Sequence, residues 1–174
     1  SGASSAGGYC VKDVKGELSG SIGTSAGAGI KFGSSTSNDI SWEGMNLANN
    51  GIGIETAGSG ALTFIDSAFS NTKDIVITGA STVDFIEGTI DTTTVEVTGT
   101  GVLSRMRQLD VTVTADTNPV ADTRVILKNA EGESSGVATT DSSGLAEDMT
   151  FTTETVDSTG LTVKNLNGYQ AVTV

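Results

Sequence analysis

The apolar positions of this chain recur at intervals of 20 to 23 residues. Each recurrence opens with a short alternating segment, and the four openings begin at Ile30, Ile52, Ile75 and Val95. The first three openings are each followed by a second apolar run, which starts at Ile40, Leu62 and Val83. A repeat of this length that is built from strands predicts a coil of β-rungs, because each rung buries its inward side chains against the rungs before and after it.

Alignment of the laps places like residues in columns. The inward columns consist of Ile40, Leu62 and Val83, and of Trp42, Phe64 and Phe85. Successive strand residues face opposite sides, so Ser41, Thr63 and Asp84 are predicted to point outward. Like residues stacked about 4.8 Å apart satisfy backbone pairing and side-chain packing together. We therefore expect the two inward columns to form the core.

The fourth lap, near residues 102 to 109, fits the alignment in two registers. One register places Arg105 in the aromatic column and adds Met106 to an outward apolar stripe formed by Ile65 and Ile86. The other register keeps Arg105 outside. Because an unpaired buried guanidinium is costly, the second register is favoured.

Segments such as residues 61–71, ALTFIDSAFSN, resemble the right-handed parallel β-helix repeats of pectate-lyase-like and periplasmic copper-binding, NosD-like proteins. The resemblance covers roughly residues 30 to 113. Its motifs are degenerate, so it implies a fold and not an activity.

The pattern of apolar and turn residues changes after Leu109. Alternating β-prone runs are separated by turn signals at about ten-residue spacing, which is typical of an antiparallel sandwich. The order of Asn118-Pro119-Val120, Val125-Ile126-Leu127 and then Thr140-Asp141-Ser142-Ser143-Gly144 resembles the transthyretin-like, carboxypeptidase-regulatory-like modules of extracellular proteins.

These patterns predict an all-β chain without α-helices. Residues 1–9 form a flexible amino-terminal segment, residues 10–109 form a short parallel β-helix of about four to five rungs, and residues 110–174 form a small, transthyretin-like antiparallel β-sandwich.

Charge and composition exclude several classes of function. The net charge is −12, with 9 Lys and Arg against 21 Asp and Glu, which disfavours nucleic-acid binding. No apolar run is long enough to insert into a membrane. The chain has no His and a single cysteine, Cys10, which excludes Ser-His-Asp and Cys-His nucleophiles and most zinc or copper sites. Cys10 is either an inert thiol or bonded to another chain.

The small residues at the amino terminus suit a mature secreted chain, so we expect an extracellular or cell-surface location.

Two carboxylates provide the nearest approach to a chemical site. The alignment stacks Asp66, Glu87 and, in one register, Arg107 in a single column. The two carboxylates could hold Ca²⁺ or share a proton. A solvated acidic ladder is the favoured interpretation, and no cofactor is expected. A polysaccharide-cleaving enzyme centred on Asp66, Asp84 and Glu87 is disfavoured, because the alignment brings no further acidic or cationic partners to them. We expect no enzyme.

The leading hypothesis is a secreted structural subunit that assembles with copies of itself into a filament, sheath or surface layer. Terminal rungs expose unpaired backbone groups, and such edges add to a neighbour's sheet. The outward stripe packs either under the carboxy-terminal sandwich or against another subunit. The alternative is an adhesin or polysaccharide-binding module of a larger extracellular protein, which would bind glycans. The expected interface residues are Ile65, Ile86, Met106, Tyr169, Val172 and Val174.

Overall fold

The computed structural model describes residues 28–35, 39–164 and 170–173, and these residues are almost entirely β-structure. Nine short strands come first along the chain: β1 (Ala28–Phe32), β2 (Ile40–Glu43), β3 (Asn46–Ala48), β4 (Ile52–Thr56), β5 (Ala61–Ile65), β6 (Ala68–Ser70), β7 (Lys73–Ile77), β8 (Thr82–Ile86) and β9 (Val95–Val97). A single 3₁₀ turn, Thr92–Thr94, precedes β9. The later strands are β10 (Val102–Thr112), β11 (Thr114–Ala115), β12 (Asn118–Pro119), β13 (Arg124–Lys128), β14 (Ser134–Thr139), β15 (Leu145–Asp157), β16 (Gly160–Val163) and β17 (Gln170–Thr173).

The first nine strands form a parallel coil. Strands β1, β4, β7 and β9 make one parallel sheet, β2, β5 and β8 lie side by side in a second, and β3 pairs with β6 in a third. Each sheet takes one strand from each lap, so the chain turns through the same corners once per repeat. This arrangement confirms the predicted all-β fold, a β-solenoid of about 4 turns with antiparallel sheets in addition.

The strand register matches the aligned columns. Ile40 pairs with Leu62 and Leu62 with Val83, while Trp42 pairs with Phe64 and Phe64 with Phe85. Four of these residues, Leu62, Phe64, Val83 and Phe85, are at most 1% exposed, and Trp42 is 2% exposed. Ile40, on the first rung described, is only partly buried.

Aromatic rings run through the centre of the coil. Trp42 stacks on Phe64 with ring centroids 5.2 Å apart and planes 9° apart, and Phe85 follows at 6.0 Å from Phe64. Phe69, from the third sheet, meets the edges of both Phe64 and Phe85 at 5.2 and 5.1 Å. Such tilted and offset pairs are the favoured geometries of aromatic rings, so the column stabilises the stack beyond simple burial.

The fourth rung adopts the register that the sequence analysis disfavoured. The amide of Val102 donates to the carbonyl of Ser81 at 3.2 Å. Elsewhere in the coil an amide donates to the residue before its partner, as Ala68 does to Met45 while pairing with Asn46. Val102 is therefore level with Thr82, and Leu103, which is 0% exposed, continues the column of Val83. Arg105 then shares the inward face of Leu103.

The preference for an outward Arg105 was wrong because it assumed an unpaired guanidinium. Arg105 Nη1 lies 3.3 Å from Glu154 Oε2, with side-chain exposures of 25% and 20%. Glu154 belongs to β15, which lies beside β10 in the sheet order β16-β15-β10-β8-β5-β2. The carboxylate gives the guanidinium a partner that the prediction had assumed to be absent.

Strand β15 runs against β10. Arg105 contacts Glu154, whereas further along β10 the carboxylate of Asp110 accepts from the amide of Asp148 at 3.0 Å. Residue numbers rise along β10 as they fall along β15, which is the pattern of an antiparallel pair. The parallel stack of this sheet is therefore followed by an antiparallel strand of the same chain.

The chain divides into two compact units. The coil unit comprises the described residues up to Arg105 together with Glu154–Thr162, and the carboxy-terminal unit comprises Met106–Thr153 and Val163–Val174 as far as they are described. The division lies four residues before the predicted boundary at Leu109, and it assigns one returning segment to the coil unit. The further prediction of a β-helix domain and a transthyretin-like domain stays a prediction.

The carboxy-terminal unit is antiparallel. Strand β13 pairs with β14 on one side and with β17 on the other, and β11 pairs with β12. Val125 and Leu127 point into a core that also contains Ala146 and Met149, all at most 3% exposed. Alternation along β13 leaves Ile126 on the opposite, outer face.

Candidate functional surfaces

The acidic residues Asp66 and Glu87 lie at equivalent corners of successive laps. Each follows the last residue of its strand and has a left-handed backbone, with φ of 49° at Asp66 and 52° at Glu87. Gly44 holds the same place one lap earlier, with φ of 68°. The amide of Asp66 donates to the carbonyl of Ile86 at 3.0 Å, which places the two corners on adjacent rungs. The shared corner conformation therefore places the two carboxylates in one column.

Asp66 and Glu87 belong to no wider acidic cluster within the part of the chain that the structure describes. Among the described residues no three Cys, His, Asp or Glu side chains are placed to hold a metal ion. The candidate Ca²⁺ pair thus consists of Asp66, which is exposed, and Glu87, which is partly exposed. In the register that the fourth rung adopts, Arg107 is level with Glu87, inside the continuous strand β10.

Asp84 lies on the outward face of β8 and has a perturbed pKa. It pairs across to Thr63 and is partly buried. Desolvation by burial raises its pKa above the ordinary value of 3.8. A raised pKa alone does not define a catalytic group, because structural burial has the same effect.

A polar network that the sequence analysis missed is buried at a corner of the coil. Asn71 donates from Nδ2 to the carbonyl of Leu47 at 2.8 Å and to Oδ1 of Asp74 at 3.0 Å. Its own Oδ1 accepts from the amide and the side chain of Asn50 at 3.0 and 2.9 Å. The other oxygen of Asp74 accepts from Thr94 Oγ1 at 2.9 Å. The network connects three successive laps, and it leaves the buried carboxylate of Asp74 well supplied with donors.

Gly53 is the residue that makes room for this network. A Cβ atom at this position would lie 2.6 Å from the carbonyl oxygen of Asp74 and 2.7 Å from Nδ2 of Asn71. The sequence signal was present as Asn50, Asn71 and Asp74 near the lap boundaries, but such residues are equally common in turns. Their role here is structural.

The motif Thr140-Asp141-x-x-Gly144 forms a turn between β14 and β15. Thr140 is 2% exposed, donates to the carbonyl of Val120 at 2.7 Å and accepts from the amide of Thr123 at 2.9 Å. Gly144 has φ of 76°, and a Cβ there would lie 2.5 Å from the carbonyl oxygen of Val113.

The carboxylate of Asp141 organises this turn. It accepts from the hydroxyl and the amide of Ser143 at 2.7 and 2.8 Å and from the amide of Leu145 at 3.0 Å. The Ser143 hydroxyl, followed by the Leu145 and Ser143 amides, lowers the pKa of Asp141. Donors from its own turn thus surround the carboxylate, which agrees with the hairpin interpretation.

The predicted interface residues lie in different parts of the molecule. Ile65 and Ile86 are paired neighbours on the outer face of the coil and are partly exposed, and Met106 on β10 is also partly exposed. Val172 on β17 pairs with Ile126 within the same chain. Tyr169, Val174, Cys10 and the predicted amino-terminal segment 1–9 lie outside the described residues.

The most exposed apolar side chains were not predicted. Leu109 is 41% exposed, Val137 51%, Leu161 45% and Val163 66%. Two of them, Leu161 and Val163, lie on β16, where every residue is exposed. In the part of the chain that the structure describes, no helix has the length and apolar character needed to span a membrane.

These features define a short β-solenoid protein with an antiparallel carboxy-terminal unit, in which the buried polar groups serve the fold. No protein-family model matches the sequence, and no significant match was found among curated proteins or solved structures.

Proposed function

We propose that this chain is a secreted structural protein, a subunit that assembles with its own copies into an extracellular filament, sheath or surface layer. The observation that carries the proposal is the edge strand β16, which is exposed over its whole length and presents Leu161 at 45% exposure. Natural sheets cover or charge such edges, because exposed backbone donors and acceptors pair with another chain. Strand β16, Gly160–Val163, has no charged residue.

The hairpin with β15 sets which backbone groups of β16 turn away from β15. The amide of Lys164 donates to the carbonyl of Thr153 at 2.8 Å. In an antiparallel pair, alternate residues turn their N–H and C=O groups toward the partner. Thr162 therefore faces β15 in the same way as Lys164, and Leu161 directs its amide toward the open edge.

This edge replaces the assembly route expected from the sequence. Strand β15 covers β10 within the chain, and β17 is paired with β13. At the other side of the six-stranded sheet, β2 is the last of the described strands. Addition of the β16 edge to a β2 edge of the next copy would be a heterologous contact, and contacts of this kind extend into fibres.

The proposed identity of the two units agrees with this role. We assign the coil to the pectate-lyase-like and NosD-like type of β-helix and the carboxy-terminal unit to the transthyretin-like type. The roles of Thr140, Asp141 and Gly144 in one turn support the second assignment. The acidic composition, with net charge −12, is compatible with an extracellular surface.

The proposal is tested by replacing Leu161 with proline. Proline removes the amide donor at the open edge, whereas its fixed φ is tolerated in an edge strand. Negative-stain microscopy and light scattering of the purified wild type should show filaments, and Leu161→Pro should shorten or abolish them while urea unfolding still shows a folded protein. Leu161→Val is the matched control, because it keeps both the donor and the apolar character.

A wild-type protein that stays monomeric at high concentration contradicts the proposal. If that monomer is instead retained on a glycan array, the polysaccharide-binding alternative replaces it.

A further inference from the structure

Two outer sheet faces of the molecule carry opposite charge around similar apolar rows. The first, here called the acidic face, is the outer side of β2, β5 and β8. It presents Ile65 and Ile86 as a paired row, with Glu43 continuing the row on β2 and Asp84 on the same side of β8. Asp66 and Glu87 stand at the corners directly after the two isoleucines. The strand positions of β2, β5 and β8 hold no Lys or Arg, and the next strand of the sheet, β10, brings Arg107 level with Glu87.

The second, here called the basic face, is the outer side of β14, β13 and β17. Val137, Ile126 and Val172 are register partners on the three strands and form an apolar row, in which Val137 is 51% exposed. Arg124 and Lys128 flank Ile126 along β13. Neither cation enters an ion pair within the described part of the chain.

The two faces match in spacing as well as in charge. Neighbouring strands lie about 4.8 Å apart in any sheet, so the apolar rows of both faces repeat at the same interval. Cations that flank one row would meet carboxylates that flank the other. The chain has a net charge of −12, so a second copy of it offers the acidic surface that would complement a face carrying two cations and no carboxylate.

We propose that the basic face of one copy docks on the acidic face of a second copy. This inference rests on the proposed function and names its second contact. Strand addition at β16 would extend a filament in one direction, whereas a sheath or layer also needs a lateral contact. The contact is heterologous, because it joins two different faces, and contacts of this kind can extend from copy to copy.

Charge reversal on one face at a time provides the test. Arg124→Glu with Lys128→Glu makes both faces acidic. Glu43→Lys with Asp66→Lys and Glu87→Lys makes both faces basic, because only Asp84 then remains acidic on the first face. Like charges then oppose each other at every contact, which is strongly unfavourable. We expect each variant alone to form single filaments without lateral association, with lateral affinity reduced at least about tenfold.

A mixture of the two variants should restore lateral association. Each acidic face of one variant then meets a basic face of the other, so the mixture forms alternating arrays visible by microscopy and by sedimentation. The matched control is Lys31→Glu with Lys164→Glu, which makes the same change of charge on exposed residues outside both faces. This control should associate laterally like the wild type.

The apolar row has its own variant. Val137→Ser keeps the charge pattern and is expected to weaken lateral association about tenfold, because docking would bury the half-exposed valine and serine gains less from that burial. Urea unfolding should be nearly unchanged.

The outcomes separate this inference from the proposed function. If the wild type forms no assemblies at all, the proposed function fails. If the wild type forms sheets or bundles and the charge-reversed variants form them equally well, the docking of these two faces is overturned while the structural role stands. If the basic face instead retains an anionic polysaccharide and reversal of the acidic face has no effect, the occupant is a glycan and the inference is again overturned.

Discussion

The aromatic column gives the sharpest test of the coil. Phe64 is 0% exposed, and its ring meets Trp42, Phe69 and Phe85 at 5.2, 5.2 and 6.0 Å. Truncation to alanine removes a fully buried ring from the middle of the stack. Phe→Ala changes in cores cost about 3–5 kcal/mol, because the lost transfer free energy is joined by the cost of the cavity.

The geometry favours the upper part of that range. Three ring contacts are lost at once, and each aromatic pair contributes about 0.5–1.5 kcal/mol beyond burial, although such terms are not additive. The rungs on either side are tied to their own neighbours through continuous parallel pairing, so the coil cannot collapse easily into the gap. We expect Phe64→Ala to lower the free energy of unfolding by about 4–5 kcal/mol.

Equilibrium urea unfolding followed by circular dichroism measures this loss. Phe32→Ala is the matched comparison, because Phe32 is only partly buried and its ring meets Trp42 at 5.6 Å on the first rung described. We expect about half the loss or less there, since a partly exposed side chain has less burial to lose. Thr63→Ala, on the outward side of the same strand as Phe64, should change stability by less than about 0.5 kcal/mol.

A Phe64→Ala protein that unfolds within about 1 kcal/mol of the wild type would refute the reasoning, because a closed central column cannot lose a ring so cheaply. Equal losses at Phe32 and Phe64 would also contradict it, since they would mean that the middle of the stack is no better packed than its first rung.

Three further changes test other parts of the structure. Asp84→Asn should stabilise the protein at about pH 7. Burial raises the folded-state pKa of Asp84 above 3.8, so the wild type loses stability as the pH rises from the unfolded-state pKa to the folded-state pKa. The urea midpoints of the two proteins should therefore converge at pH values below that range. Gly53→Ala should cost about 1–3 kcal/mol, because its Cβ would lie 2.6 Å from the carbonyl oxygen of Asp74, whereas Gly33→Ala, with nothing within 4 Å, should be nearly neutral in the same denaturation assay. A double-mutant cycle of Arg105→Met and Glu154→Gln should give a coupling free energy of about 1 kcal/mol that decreases with added salt, and zero coupling at low salt would show that the pair does not stabilise the fourth rung.

Much of the coil could be predicted because a parallel stack repeats its own environment. Leu62 has Ile40 on one side and Val83 on the other, so the same apolar requirement returns once per lap and is visible as a period. The corner column followed for the same reason: Asp66 and Glu87 recur because the backbone turns at the same place. Local alternation and regular spacing are sufficient for such features.

The polar interior could not be predicted in this way. Asn50, Asn71 and Asp74 have the composition of turn residues, and only the closed coil brings them within hydrogen-bond distance of one another. The sequence separation between Asn50 and Asn71 is 21 residues, a single lap, but nothing in the pattern distinguishes a buried asparagine from an exposed one.

The prediction of the fourth rung's register failed because it depended on a contact between distant parts of the sequence. Arg105 lies inward because Glu154, 49 residues later, supplies its carboxylate, and no periodic pattern connects the two. The rule that an unpaired guanidinium stays outside was sound, but its premise concerned a partner that only the tertiary fold provides.

Strand β15, which contains Glu154, also changes how a coil of this kind would assemble. A parallel rung offers its whole edge to the next copy, whereas β15 meets β10 in the opposite direction and takes that edge within the chain. The edge is displaced outward to β16, an uncharged strand that follows a two-residue turn after Asp157. An antiparallel edge cannot continue the parallel stack in register. A copy added at β16 would therefore begin a new strand pair, whose register depends on the exposed side chain of Leu161 and on the backbone donors of β16. Proline at Leu161 acts on this pairing alone, and for that reason it separates assembly through the edge from assembly through the charged faces.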